Sequence, residues 1–218
     1  LENTDVQKMS DFKLHCFALS GNSYKVALFL ALAQQKWEPV FVDYLNGETR
    51  TREWRETVNE QGEAPVLEHQ GKKLTQSALI LDHLAQVTGK FGPESEEERQ
   101  EIWRWMLFDN HKFTSYYATL RFMYGLQKSG ETPVTQFFRE RVRAAYQIVD
   151  NHLGKTPFLV GERLTIADLS LAGYVFMPED TGISKSEFPN IEAWKARIQA
   201  MPGWQHPYDL MPGPTSAI

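Results

Sequence analysis

Ser20-Gly21-Asn22-Ser23-Tyr24-Lys25-Val26 is the stretch on which the reading of the fold turns. Before it, Phe12-Lys13-Leu14-His15-Cys16-Phe17-Ala18 opens with alternating apolar and polar side chains, the two-residue period of a strand. After it, Val26, Leu28, Phe29, Leu30, Ala31, Leu32 and Ala33 form a dense apolar helix segment with no charge before Lys36. The order is strand, turn, buried helix. Ser20, Asn22 and Ser23 are all capping residues beside Gly21, so hydroxyls and free backbone N–H groups gather at the positive end of a helix. Such an end favours an anion, or a thiol becoming one. Taken alone, the stretch reads first as an ordinary capped helix start.

Downstream, Glu38-Pro39-Val40-Phe41-Val42-Asp43 reads as a second strand, which makes the opening a β-α-β unit. Asn46-Gly47 marks a turn, and residues 53–57 supply only a short helix. Gly62 and Pro65 punctuate a loop before a third strand at Val66-Leu67-Glu68, which turns through Gln70-Gly71 into Lys72-Lys73-Leu74. Thr75-Gln76-Ser77 then opens a helix whose Leu79, Ile80, Leu81 and Leu84 form one apolar face. This half predicts a small mixed sheet covered by helices.

Thr88-Gly89-Lys90-Phe91-Gly92-Pro93 breaks the chain, and no comparable strand pattern returns beyond it. The expected division is a flexible tail at 1–11, a first domain at 12–88, a linker at 89–94 and an all-helical domain at 95–218. A long helix begins in the acidic run 94–98 and carries Ile102, Met106, Phe113, Tyr117, Leu120 and Tyr124, with a gap at Asp109. Trp105, Phe108, Lys112 and Tyr116 lie on a second side of the same helix, suited to a cleft wall or to a second packing surface. Further helices are expected from Pro133 to about Leu153, after the capping box Thr165-Ile166-Ala167-Asp168, and over about 188–200. Asp168 reads as a structural carboxylate. Prolines at 202, 207, 212 and 214 predict an irregular tail anchored by Trp204 and Tyr208.

The chain has 218 residues, 42% of them apolar, enough for one large domain or two small ones. Its net charge is −5, with Lys and Arg spread throughout, which argues against a nucleic-acid surface. The longest uncharged apolar run, near 26–33, is too short to span a bilayer. Residues 1–10 are polar and lack a signal-peptide core, so a cytoplasmic protein is expected, with Met9 as a candidate natural start. The single cysteine, Cys16, forbids an internal disulfide and any Cys-x-x-Cys metal or redox pair. Within a strand it reads as a packed, inert thiol.

Four separated features together resemble the cytosolic glutathione transferases, over Phe12 to about Trp204. They are Ser-x-Asn-Ser-Tyr-Lys-Val after the first strand, Gly-x-Ala-Pro-Val-Leu, Gln76-Ser77 at a helix start, and Thr-Ile-Ala-Asp in the helical half. The resemblance implies a thioredoxin-like domain followed by an all-helical domain. Where thioredoxin-like redox proteins carry Cys-x-x-Cys, this chain has Ser20-Gly21-Asn22-Ser23, so the thiol would come from glutathione as co-substrate. By similarity to the bacterial-type, serine-type members, Ser20 would donate to the thiolate, with Asn22 or Ser23 as backup. Ala64, before a cis Pro65, would pair with the cysteinyl segment, and Gln76 and Ser77 would hold the γ-glutamyl end. Arg50, Arg52 and Lys36 are all candidates for the glycyl carboxylate. Glu63 and Glu60 depart from the family pattern by adding negative charge near an anionic ligand.

The electrophile would lie against Phe108, His111, Lys112 and Tyr116, of which His111-Lys112 resembles a pair found in bacterial members. No metal is implied. The resemblance further implies a homodimer that conjugates glutathione to a small hydrophobic electrophile. Disulfide or peroxide reduction or isomerisation at the same site, and a non-catalytic binding role, are the alternatives.

Overall fold

The computed structural model describes residues 11–215 of the chain. The tail expected at 1–11, apart from Asp11, and the start at Met9 lie outside the described residues. The first half runs β1 (Phe12–Cys16), α1 (Gly21–Leu32), β2 (Trp37–Phe41), α2 (Arg52–Thr57), β3 (Val66–His69), β4 (Lys72–Thr75) and α3 (Ser77–Thr88). The four strands lie in the order β2-β1-β3-β4. β1 and β2 are parallel, as a helical crossover requires, and β3 is antiparallel to both β1 and β4. Gln70 and Gly71 join β3 to β4 with φ of 50° and 76°, the left-handed pair that a two-residue hairpin needs.

β1 stops two residues before its sequence pattern does. Phe17 and Ala18 leave the ladder, and the Ala18 N–H donates instead to the Pro212 carbonyl at 2.8 Å. That departure carries the chain to Ser20, where the next helix begins.

The helical half contains α4 (Glu96–Phe108), α5 (Thr114–Leu120), α6 (Pro133–Leu153), α7 (Ile166–Val175), α8 (Pro189–Gln199) and α9 (Pro207–Leu210). The single long helix expected from residue 94 is wound more widely at Asp109–Phe113 and again at Arg121–Leu126. In these turns the N–H of Thr114 bonds to the Asp109 carbonyl, and that of Gln127 to Phe122, five residues back. Each wide turn inserts a residue and rotates everything after it to a new face. The tail also departs from expectation: Pro207 opens α9 at its first position, where a missing N–H costs nothing. The Tyr24 hydroxyl donates to the Gln205 carbonyl at 2.8 Å, which ties this tail to α1.

One buried core joins both halves, from Leu14 and Phe29 to Trp194 and Ile198. At its centre α1 crosses α7 so closely that a Cβ on Gly173 would stand 2.8 Å from the Gly21 carbonyl oxygen. Asp168 closes the capping box of α7 and is fully buried. It accepts from the N–H groups of Leu159 and Thr165, the Thr165 hydroxyl and the Trp194 indole, the structural role read from its motif. Leu164 and Leu169, at the staple positions, are buried beside it. No described helix is long and apolar enough to cross a membrane.

Candidate active site

Ser20 is the N-cap of α1, with extended backbone (φ −91°, ψ 108°). Its Oγ accepts from the Ser23 N–H at 3.0 Å. Among the described residues its own O–H meets no acceptor, so the hydroxyl keeps a donor to give. Ser20 and Asn22 open onto a cavity of about 480 Å³.

A second wall comes from the loop before β3 and the start of α3. The Asn59 side-chain amide donates to the Glu63 carbonyl at 3.0 Å and shapes the loop. The Ala64-Pro65 peptide is cis. Ala64 precedes the first laddered residue, Val66, and so keeps a backbone edge outside the sheet. Gln76 holds φ at +65°, a left-handed value that costs a non-glycine residue roughly 1 kcal/mol or more. Its amide donates to Gln61 and to Glu63, each at 3.0 Å. No side chain caps α3, so its first-turn N–H groups stay available for a carboxylate.

Ser20, Asn22, Ala64, Pro65, Gln76 and Ser77 therefore line one cavity. Ser23 does not reach it: the residue is fully buried, its N–H serves Ser20, and its Oγ has no partner. Lys36, Arg50 and Arg52 also stand away from the cavity and are exposed, with Arg52 paired to Glu56 at 2.6 Å. The helical wall differs from the one expected. Phe108, His111, Lys112 and Tyr116 do not line the cavity, and His111 and Lys112 face solvent. The wall is built from Asn110, Ala118, Thr119, Arg121, Phe122 and Leu126. The wide turns account for the change, because spacings of three and four drawn through Asp109–Phe113 lose register with the real face.

Arg121 is the cationic side chain of this wall, and sequence reasoning missed it. Its Nη1 donates to the Leu19 carbonyl at 2.9 Å, its Nε to Glu179 at 2.6 Å and its Nη2 to the Tyr208 hydroxyl at 3.0 Å. Tyr208 in turn donates to Glu179. Burial opposes the guanidinium charge, but the bond to Glu179 and its negative charge outweigh that and raise the Arg121 pKa. The helical half thus grips the peptide unit just before Ser20. A lone arginine one residue past Leu120 in an otherwise apolar stripe was the available signal.

Comparison with known proteins agrees with this architecture. Residues 12–86 match the model of the glutathione S-transferase N-terminal domain, and residues 115–202 match that of the C-terminal domain. A glutathione S-transferase of Arabidopsis thaliana is 30% identical, over 93% of this chain and 87% of its own. The chain belongs to the glutathione S-transferase family. The crystal structure of a possible glutathione S-transferase from Rhodopseudomonas palustris is 35% identical and superposes with a TM-score of 0.84, covering 91% of this chain and 98% of that one. A disulfide-bond oxidoreductase of Escherichia coli is 26% identical over 85% of this chain and 89% of its own.

This glutathione S-transferase family member brings no reactive thiol of its own to the cavity. Cys16 is fully buried in β1, and burial pushes its pKa up to about 12. The chemistry of the wall is that of donors: a free hydroxyl at Ser20, two helix starts and a nearby guanidinium.

Proposed function

We propose that the chain is a glutathione transferase of the serine type, similar to bacterial members, which ionises the thiol of bound glutathione for attack on a small hydrophobic electrophile. Glutathione is the co-substrate, and when bound it supplies the nucleophilic sulfur. The observation that carries the reading is the convergence of Ser20, Asn22, Ala64, Pro65, Gln76 and Ser77 on one cavity. Ser20 donates its unspent O–H to the thiolate, and the positive end of α1 adds to that preference for the anion. Each unit by which the thiol pKa falls corresponds to about 1.4 kcal/mol. Ala64 offers its free backbone edge to the cysteinyl segment. Gln76 leads the chain into α3, where the Ser77 hydroxyl and the uncapped first-turn N–H groups hold the γ-glutamyl carboxylate.

Phe17, Tyr44, Leu45, Ala118, Phe122 and Leu126 supply the apolar side of the cavity and receive the electrophile. Orientation of the two reactants there, beside an already ionised nucleophile, is the main source of rate. A panel of electrophiles, disulfides and peroxides assayed with glutathione tests the proposal. Conjugation of at least one electrophile supports it, and an inert protein that fails to bind immobilised glutathione contradicts it.

A second reading, glutathione-dependent disulfide reduction at Ser20, draws on the relative named a disulfide-bond oxidoreductase. Turnover of disulfides without conjugation in the same panel would select it. The protein is also proposed to act as a cytoplasmic homodimer, which light scattering at micromolar concentration would test as a doubled mass.

A further inference from the structure

The peptide unit between Leu19 and Ser20 belongs neither to the sheet nor to a helix. β1 ends at Cys16, and the first carbonyl used by α1 is that of Ser20, which accepts from the Tyr24 N–H at 2.9 Å. Leu19 and Ser20 are both buried, so the peptide joining them needs partners of its own. Its N–H donates to the Phe17 carbonyl at 3.0 Å and closes a tight turn. Its carbonyl accepts from Arg121 Nη1 at 2.9 Å. Of the two bonds that set this peptide plane, one comes from the helical half.

The guanidinium is itself held in one pose. Its Nε donates to Glu179 at 2.6 Å, its Nη2 to the Tyr208 hydroxyl at 3.0 Å, and Tyr208 donates onward to Glu179. Glu179 follows α7 and Tyr208 lies in α9, so two further segments of the helical half fix the fork that reaches Leu19. A planar group bonded in three directions cannot turn without breaking one of them. Only 3% of the Arg121 side chain is exposed, and Glu179 stands against its charge, so it meets this turn as a shaped clamp rather than as a free cation. The neighbours are set from the same side: the Ala18 N–H donates to the Pro212 carbonyl at 2.8 Å, and the Tyr174 ring, 5.8 Å from the guanidinium, covers Gly21.

We infer that Arg121 is a positioning residue: by holding the Leu19 carbonyl it fixes the backbone from which the Ser20 hydroxyl is aimed into the cavity, and Glu179 and Tyr208 fix Arg121 in turn. The inference rests on Ser20 being the thiolate donor. Rotation of the Leu19–Ser20 peptide would swing the Cα–Cβ bond of Ser20, and a displacement of about 1 Å at a reacting group can cost roughly a hundredfold in rate. Arg121 acts through Ser20 and exchanges no proton or bond with the ligand.

The test is a double-mutant cycle between Arg121→Lys and Ser20→Ala, read as the pKa of the bound glutathione thiol from its thiolate ultraviolet absorption. Lysine keeps the charge beside Glu179 but lacks the fork. The expected result is a thiol pKa about one unit higher in Arg121→Lys, a tenfold smaller thiolate fraction at a fixed pH below it, and no further rise when the same change is added to Ser20→Ala. Affinity for S-methylglutathione, which has no ionisable thiol, should be unchanged by calorimetry. Tyr208→Phe keeps its ring and removes only the hydroxyl under the fork; it should give a smaller shift with the same dependence on Ser20, and it decides the question alone should the lysine variant not fold. A rise of equal size with and without the Ser20 hydroxyl overturns the inference, because the arginine would then act by its charge or by general loss of structure. An unshifted thiol pKa overturns it too, as does a shift matched by an equal loss of S-methylglutathione affinity. If Ser20→Ala alone leaves the thiol pKa at the wild-type value, the serine-type reading of the function fails, and this assignment with it.

Discussion

Lys25 Nζ stands 2.7 Å from Asp109 Oδ2, with both side chains almost wholly sealed from solvent. The Thr114 and Ser170 hydroxyls donate to the same carboxylate at 2.6 and 2.7 Å. One carboxylate therefore joins α1, the wide turn after α4, and α7. The helix that Ser20 caps is fixed to the helical half by charge as well as by the close glycine crossing. A buried pair of this kind gains little over well-packed apolar side chains, but breaking it strands a charge.

Lys25→Met should accordingly destabilise the fold by about 3–5 kcal/mol, since Asp109 is left without its cation. Adding Asp109→Leu to that variant should recover much of the loss. Chemical denaturation of the two variants checks both values, and a single variant as stable as wild type would show that the pair is not holding the halves together.

The clamp at Glu179 predicts an acid limit. Burial disfavours its charge, but the bonds from Arg121 and Tyr208 outweigh burial and lower its pKa below the ordinary 4.5. A lowered folded pKa means that the unfolded chain binds more protons, so this contribution is complete above the ordinary value and vanishes as pH falls through the lowered one. Thermal unfolding followed downward from pH 6 should show that loss, and Glu179→Gln should flatten this part of the profile.

Cys16, buried and with its pKa pushed up to about 12, should resist alkylation by iodoacetamide at pH 8 until the protein unfolds. Mass spectrometry before and after adding denaturant reads this directly. Rapid modification of the native protein would place the thiol within reach of solvent.

Gly21→Ala should lower stability by about 1–3 kcal/mol, because the added methyl would meet the Tyr174 ring at 2.4 Å. Pairing it with Tyr174→Ala should relieve most of that loss in a thermal melt. Equal penalties with and without the ring would assign the effect to α1 alone.

Local chemistry was legible in the sequence, and encounters between distant segments were not. The Ser20 cap, the β-α-β and β-β-α order, the Thr165–Asp168 capping box and the Gln76-Ser77 helix start all rest on short-range spacing, and each stands in the structure. The helical wall failed because two wide turns broke the 3.6-residue register without any proline or glycine to announce the first of them. Asp109 was visible as a gap in an apolar stripe, and Lys25 as a charge in an apolar helix, but nothing local says that two such residues face one another. Arg121 and Tyr174 were missed for the same reason: each acts on the Ser20 turn from the other half of the chain.

The most direct measurement is the pKa of the glutathione thiol bound to the wild type and to Ser20→Ala. Ser20 as thiolate donor predicts a wild-type value well below the ordinary value of about 8.5 and a rise of about 1–2 units in the variant, with a roughly tenfold to hundredfold fall in kcat/KM at neutral pH. The same low pKa in both proteins would contradict it.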